Sequence, residues 1–163
     1  MANTVASLIE GQTGVLTVGS EDMGAILVTS FTPEIVDKEH EDSSAGANDI
    51  DLIISRLRKV TIEATLEECA DMDKMAMILG AGTATDDAFE MAPNTNDYYV
   101  SLVFTLQNSD ELRYRHSKMR IKPNGPIDFS GGDFAGTPLL LTSLKDSSGA
   151  YGDHGKWDVV TPS

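Results

Sequence analysis

The spacing of apolar residues along the chain predicts a protein built mainly of β-strands. In residues 56–66, apolar positions such as Val60 and Ile62 alternate with polar ones. A period of two is typical of a strand with one buried face. Further strands are predicted at residues 14–18, 25–31, 98–106, 112–122 and 137–144. Pro33 cannot donate a ladder hydrogen bond, so the strand that contains it should lie at a sheet edge or bend there.

One helix is predicted at about residues 66–79, directly after the clearest strand. Thr65 and Glu68 have the spacing of a capping box, in which each side chain satisfies a free amide at the helix start. Apolar residues then recur at spacings of three and four, which gives the helix an apolar face. They are Cys69, Met72, Met75, Ala76, Ile78 and Leu79. Gly80 is a natural C-terminal stop. We expect the apolar face to cover the sheet, with the single cysteine on its buried side.

The most hydrophilic part of the chain, residues 34–51, is predicted to be a long acidic loop. It contains seven acidic residues and one basic residue, and its centre, residues 42–48, has the composition of a flexible segment. Such loops are often functional or become ordered by a partner, and a tolerated, solvated insertion is the other interpretation. The predicted organisation is an N-terminal arm at residues 1–12 and one β domain at residues 13–163, with the acidic loop at about residues 37–54.

Basic residues are concentrated elsewhere, on the strand predicted at residues 112–122. Five of the twelve lysines and arginines lie there. Two interpretations are open: the acidic loop and the basic strand pair within one monomer, or they dock between neighbouring copies and fix their orientation. The residues considered for an inter-subunit contact are Asp37, Glu39, Glu41, Asp42, Asp49, Asp51, Arg113, Arg115, Lys118 and Arg120.

Length and charge exclude several classes of protein. The 163 residues suit one domain with a sizeable core. A formal net charge of −14 repels nucleic-acid phosphate, which argues against a protein that wraps or reads DNA. The same repulsion would suit a conduit through which DNA slides without sticking. No apolar run approaches the length of a transmembrane helix, so no membrane binding is expected. Residues 1–11 lack the features of a secretory signal, so we expect synthesis in the cytoplasm.

The sequence shows no pattern of catalytic or cofactor-binding residues. It has no Walker loop, dinucleotide fingerprint, zinc-protease helix or nucleophile elbow. Its histidines, His40, His116 and His154, lack metal-ligand spacing. Neither Asp49-Ile50-Asp51 nor Asp86-Asp87 has the glycine and distal glutamate of an EF-hand loop. We therefore expect no enzyme, no cofactor and no metal site. The alternative from a different class is a small acidic β-barrel binding module, with calcium as its ligand.

In the order and type of its elements, the sequence resembles the phage tail tube protein family. The resemblance rests on three segments. They are residues 18–34, which begin VGSEDMGAILV and end FTPE; residues 59–80, which begin KVTIEATLEE and end in Leu79-Gly80; and residues 134–146, FAGTPLLLTSLKD. The basic strand at residues 112–122 departs from what a uniformly acidic tube lining would require.

The resemblance implies a β-sandwich or barrel-like domain with one flanking helix, assembled into hexameric rings that stack into a tube for DNA passage. In that family the early hairpin loop, here residues 37–54, tends to bridge subunits or rings. The implied partners are further copies of the chain and other tail proteins, such as a tape measure, terminator or sheath, and the implied location is the virion tail. The alternatives of the same class are another tail or neck component, or the tube of a contractile-type secretion system.

Overall fold

A computed structural model describes residues 14–23, 26–42, 49–66, 71–106, 108–127 and 136–162. The elements in this part of the chain are β1 (Val15–Val18), β2 (Glu21–Asp22), β3 (Ile26–Asp42), β4 (Asp49–Leu66), α1 (Met72–Leu79), β5 (Tyr98–Thr105), β6 (Glu111–Pro123), β7 (Thr137–Ser143) and β8 (Lys156–Val160). All strand pairs are antiparallel and belong to one sheet. Its order is β2-β1-β5-β6-β7-β4-β3, and β8 pairs with the first half of β6. The prediction of a mainly β domain with one helix is confirmed.

The core consists of alternate residues of the central strands, as the period of two predicts. In β7, every second residue from Thr137 to Ser143 is buried. The core side chains come mainly from β1, β4, β5, β6, β7 and α1. They are Leu16, Val18, Met23, Val60, Ile62, Ala64, Leu66, Met77, Ile78, Val100, Leu102, Tyr114, Met119, Ile121, Leu139 and Leu141. Burial of one large apolar side chain contributes about 1.5–3 kcal/mol, so this cluster provides most of the stabilisation.

Contacts between distant strands show that the sheet is curled around this core. Phe31 lies on β3, at one end of the strand order. Its ring centroid nevertheless lies 4.9 Å from that of Tyr114 on β6 and 5.0 Å from that of Trp157 on β8. Both contacts are edge-to-face, the arrangement that aromatic rings favour. The terminal strand therefore folds over β6 and β8, and the domain is barrel-like.

The helix begins later than the sequence predicts. Thr65 pairs with Pro138 of β7, so its backbone belongs to the sheet and it does not cap the helix. Asp71 is the N-cap instead, and its carboxylate accepts hydrogen bonds from the amides two and three residues later, at 3.1 and 3.3 Å. The helix ends before Gly80, as predicted. Its residue Ile78 is part of the core, which confirms that the helix covers the sheet.

The prediction of a long acidic loop is wrong, because most of residues 37–54 form two paired strands. β3 runs on through Pro33 to Asp42, and β4 begins at Asp49. Main-chain hydrogen bonds do not require apolar side chains, and the isoleucines and valines of this segment favour an extended backbone. Pro33 is tolerated since β3 is the last strand in the order, an edge strand as predicted.

Three predicted features lie outside the described residues. They are the N-terminal arm at residues 1–12, the centre of the acidic segment at residues 43–48, and Cys69 with the first part of the predicted helix at residues 67–70.

Candidate interaction surface

The outer parts of β3 and β4 project from the sheet as a two-stranded ribbon, defined here as residues 34–42 and 49–59. β7 pairs with β4 from Thr61 to Leu66, and further out the pairing described for β4 is with β3. The described side chains from Ile35 to Glu41 and from Asp49 to Arg58 are all exposed. The ribbon therefore contributes little to the core of the domain.

Large aliphatic side chains are concentrated on this ribbon. Seven of them are between 39% and 61% exposed. They are Ile35, Val36, Ile50, Leu52, Ile53, Ile54 and Leu57. Exposed aliphatic residues that are scattered singly are ordinary, whereas a concentration on one projecting element marks an interaction site. The ribbon is the best candidate for a functional surface.

The acidic residues singled out from the sequence lie on the same ribbon. Asp37 accepts a hydrogen bond from the hydroxyl of Ser55 at 2.6 Å. Asp51 lies 2.6 Å from Nδ1 of His40. In register, Glu39 lies opposite Ile53, Glu41 opposite Ile50, and Asp42 opposite Asp49. The ribbon thus combines apolar and acidic side chains on one element.

The basic residues of β6 form ion pairs with other acids of the same chain. Arg113 donates two hydrogen bonds to Asp158 of β8, at 3.2 and 2.7 Å, and Arg115 donates one at 3.0 Å. The hydrogen bonds from Arg113, helped by the charge of Arg115, lower the pKa of Asp158. Lys118 and Arg120 lie 3.9 and 2.9 Å from Asp97. In the described part of the chain, the ribbon and β6 therefore carry separate ion pairs.

A buried chain of hydrogen bonds holds the ribbon at its base. The amide of Val60 donates to the hydroxyl oxygen of Ser143 at 2.7 Å, and that hydroxyl lies 2.9 Å from Nδ1 of His154. Since the serine oxygen already accepts from the amide, its proton is free to be donated to a neutral His154. The ring of His116 lies 6.2 Å from that of His154, and its Nε2 donates to the carbonyl of Leu144. Sequence reasoning missed this cluster because its members are far apart along the chain.

Stability should fall in mildly acidic solution because of this cluster. Burial, and then the nearby His116, lower the pKa of His154 from its ordinary value of 6.5. The unfolded chain therefore binds a proton at a higher pH than the folded chain. The stabilisation is complete above about pH 6.5 and is lost as the pH falls through the lowered pKa. Urea unfolding at about pH 7.5 and about pH 5.5 should show a lower free energy of unfolding at the lower pH.

A His154→Gln variant is the control for this effect. The glutamine oxygen can accept the same hydrogen bond but does not titrate, so its stability should change less between the two pH values. Equal stability of the natural chain at both values would contradict the assignment.

The described residues contain neither a metal cluster nor an evident catalytic site. They include no group of three or more histidine, cysteine, aspartate or glutamate side chains placed to share a metal ion. A cavity of about 750 Å³ lies between α1, residues 91–95, β6 and β7. Its lining is mainly apolar, with Arg120 and Lys122 but no carboxylate or histidine. This lining lacks the paired titratable groups that acid–base catalysis requires.

No helix in the described part of the chain has the length and hydropathy needed to cross a membrane.

Comparison with known proteins gives matches among solved structures. No family model matches the chain, and no curated protein matches it significantly. A chain of the anti-feeding prophage cap, which terminates the tube, has a TM-score of 0.59 at 12% identity, over 98% of this chain and 97% of that one. A chain of the sheath–tube complex of an extracellular contractile injection system, PVC, has a TM-score of 0.55 at 11% identity, over 94% and 93%. A chain of the PVC sheath/tube terminator has a TM-score of 0.55 at 11% identity, over 95% and 99%.

These matches extend over nearly the whole of each chain, so they concern the complete domain. The chain has the fold of tail-tube-type proteins. The resemblance to the phage tail tube family is confirmed at the level of the fold.

Proposed function

We propose that this protein is a non-enzymatic structural subunit that self-assembles into a tube, as stacked rings that are most simply hexameric. The observation that carries the proposal is the exposed ribbon, with its aliphatic and acidic side chains on an element outside the core. A monomer that kept this surface in water would expose a large apolar patch. Burial against further copies removes that cost.

The contact between subunits is proposed to include the acidic residues of the ribbon and the more exposed cations of β6. The ribbon supplies Asp37, Glu39, Glu41, Asp42, Asp49 and Asp51. Lys118 and Arg120 are 43% and 50% exposed, so they remain accessible beside Asp97. Arg113 and Arg115 are 24% and 22% exposed and bind Asp158, so their proposed role is to hold β8 against β6 beneath the contact.

The setting of such a tube is either a phage tail or a contractile injection apparatus. The similar structures are a tube-terminating cap and chains of a sheath–tube complex and its terminator, and these favour the second setting. Copies of this chain, a sheath and a terminator are the proposed partners, with a tape measure in the tail of a phage. The virion tail, or the equivalent extracellular particle, is the proposed location. In a phage, a subunit with a net charge of −14 would let DNA pass without adhering.

Sedimentation velocity over a range of concentrations tests the proposal. The natural chain should form species much larger than a monomer. The triple variant Ile35→Ser, Ile53→Ser, Leu57→Ser removes aliphatic surface from one side of the ribbon. It should raise the concentration needed for assembly at least about tenfold, because each lost aliphatic contact is worth about 1 kcal/mol or more.

The matched control places the same number of serines at exposed apolar sites outside the ribbon. These are Val15→Ser, Met91→Ser and Val159→Ser, at positions that are 45%, 79% and 56% exposed. The control should assemble like the natural chain. A natural chain that sediments as a monomer at all concentrations would overturn the proposal.

A further inference from the structure

The inner half of the ribbon has two faces of opposite charge. Its register is unbroken from the pair Ile35 and Leu57 to the pair His40 and Leu52, and the irregularities lie on either side of this segment. Paired residues share a face and successive pairs alternate between faces. Two sets of exposed side chains follow from this register.

We call these sets the acidic face and the basic face. The acidic face consists of Ile35, Asp37, Glu39, Ile53, Ser55 and Leu57. The basic face consists of Val36, Lys38, His40, Leu52, Ile54 and Arg56. Each face has three aliphatic side chains. The acidic face adds two carboxylates and no cation, and the basic face adds a lysine and an arginine, with His40 at its outer end beside Asp51.

Two independent contacts support this assignment of faces. The hydrogen bond from Ser55 to Asp37 places both side chains on the acidic face. A concavity of about 300 Å³ is lined by Val36, Lys38, Ile54 and Arg56, all from the basic face. Its two aliphatic walls and two cations can receive an aliphatic side chain that is flanked by carboxylates. The acidic face presents that arrangement at Ile53, which lies opposite Glu39.

We propose that the acidic face of one ribbon packs on the basic face of the ribbon of the next copy. This pairing rests on the proposed self-assembly and adds the partner surface and its direction. Packing of two acidic or two basic faces would bring like charges together in a partly desolvated contact, which is unfavourable. Packing of unlike faces neutralises both pairs of charges and buries the aliphatic side chains of both. It also leaves one free face at each end, so the contact is head-to-tail and propagates around a ring or along a filament.

Charge reversal on one face at a time tests the pairing. The first variant carries Asp37→Lys and Glu39→Lys, which makes both faces basic. The second carries Lys38→Glu and Arg56→Glu, which makes both faces acidic. Each variant alone should need at least about tenfold more protein to assemble than the natural chain, because its two faces repel. An equimolar mixture of the two should assemble again, with the copies alternating.

Sedimentation velocity of each variant and of the mixture, with one variant carrying a fluorescent label, gives the result. Recovery of assembly in the mixture also shows that both variants are folded. Assembly of either variant alone at the natural concentration, or a mixture that stays monomeric, would overturn the face-to-face pairing. These outcomes differ from failure of the proposed function, in which the natural chain itself stays monomeric and the pairing falls with it.

Discussion

A chain with a shortened ribbon should remain folded but lose self-association. The change replaces residues 37–55 with Asn-Gly, which joins Val36 to Arg56. These two residues are register partners, so a two-residue turn can connect them. The described side chains removed are exposed, and the core cluster is untouched, so the free energy of unfolding should change by about 1 kcal/mol or less. Light scattering and thermal unfolding should show a monomer that melts close to the natural chain.

A second deletion shows which part of the ribbon matters. Replacing residues 41–51 with Asn-Gly joins His40 to Leu52, another register pair, and keeps the aliphatic residues of both faces. This chain should still assemble, although at higher concentration than the natural one. If the shorter ribbon, without residues 37–55, assembled as readily as the natural chain, the ribbon would not be the assembly surface.

Leu141→Ala should cause the largest loss of stability expected from one substitution. Leu141 is fully buried in β7 and pairs in register with Ile62 of β4 and Ile121 of β6, which are also buried. Truncation removes transfer energy and leaves a cavity between three strands, and such changes cost about 2–5 kcal/mol. Urea unfolding of the monomeric, shortened-ribbon chain with and without this substitution measures the loss without interference from assembly.

The adjacent residue provides the matched control. Leu140 lies on the same strand with its side chain on the opposite face, where it is only half-buried. Leu140→Ala should therefore cost clearly less than Leu141→Ala. Equal losses at the two positions would show that the burial alternates differently along β7.

Much of the fold could be predicted because its core strands have one buried face. The hairpin of β5 and β6 and the strand β7 lie within a residue or two of the predicted ranges. The alternation of buried and half-buried residues along β7 is the direct cause of its period of two. The helix was found from its apolar face, but its start was misplaced, since Thr65 continues the sheet and Asp71 forms the cap.

The ribbon was missed because neither of its faces is buried in the monomer. Without a core side, apolar and polar residues need not alternate, and the run Leu52-Ile53-Ile54 places apolar residues on both faces. The acidic composition then suggested a loop. The exposed isoleucines between turn-forming residues were the available signal.

The contacts of the predicted charged residues depended on tertiary structure. Arg113 meets Asp158, and Arg120 meets Asp97, each across strands or loops that are distant in sequence. Composition correctly identified an acidic and a basic segment, but it could not show that β6 is neutralised within the subunit. It also could not show that the ribbon carries its own basic face.

Cryo-electron microscopy of the natural chain at high concentration tests the central claim most directly. The claim is that this chain self-assembles through its ribbon into stacked rings. We expect tubes or ring stacks in which residues 35–40 and 52–57 contact a neighbouring copy, with the acidic face of one ribbon on the basic face of the next. Particles that remain monomeric, or rings in which the ribbon points into solvent, would contradict it.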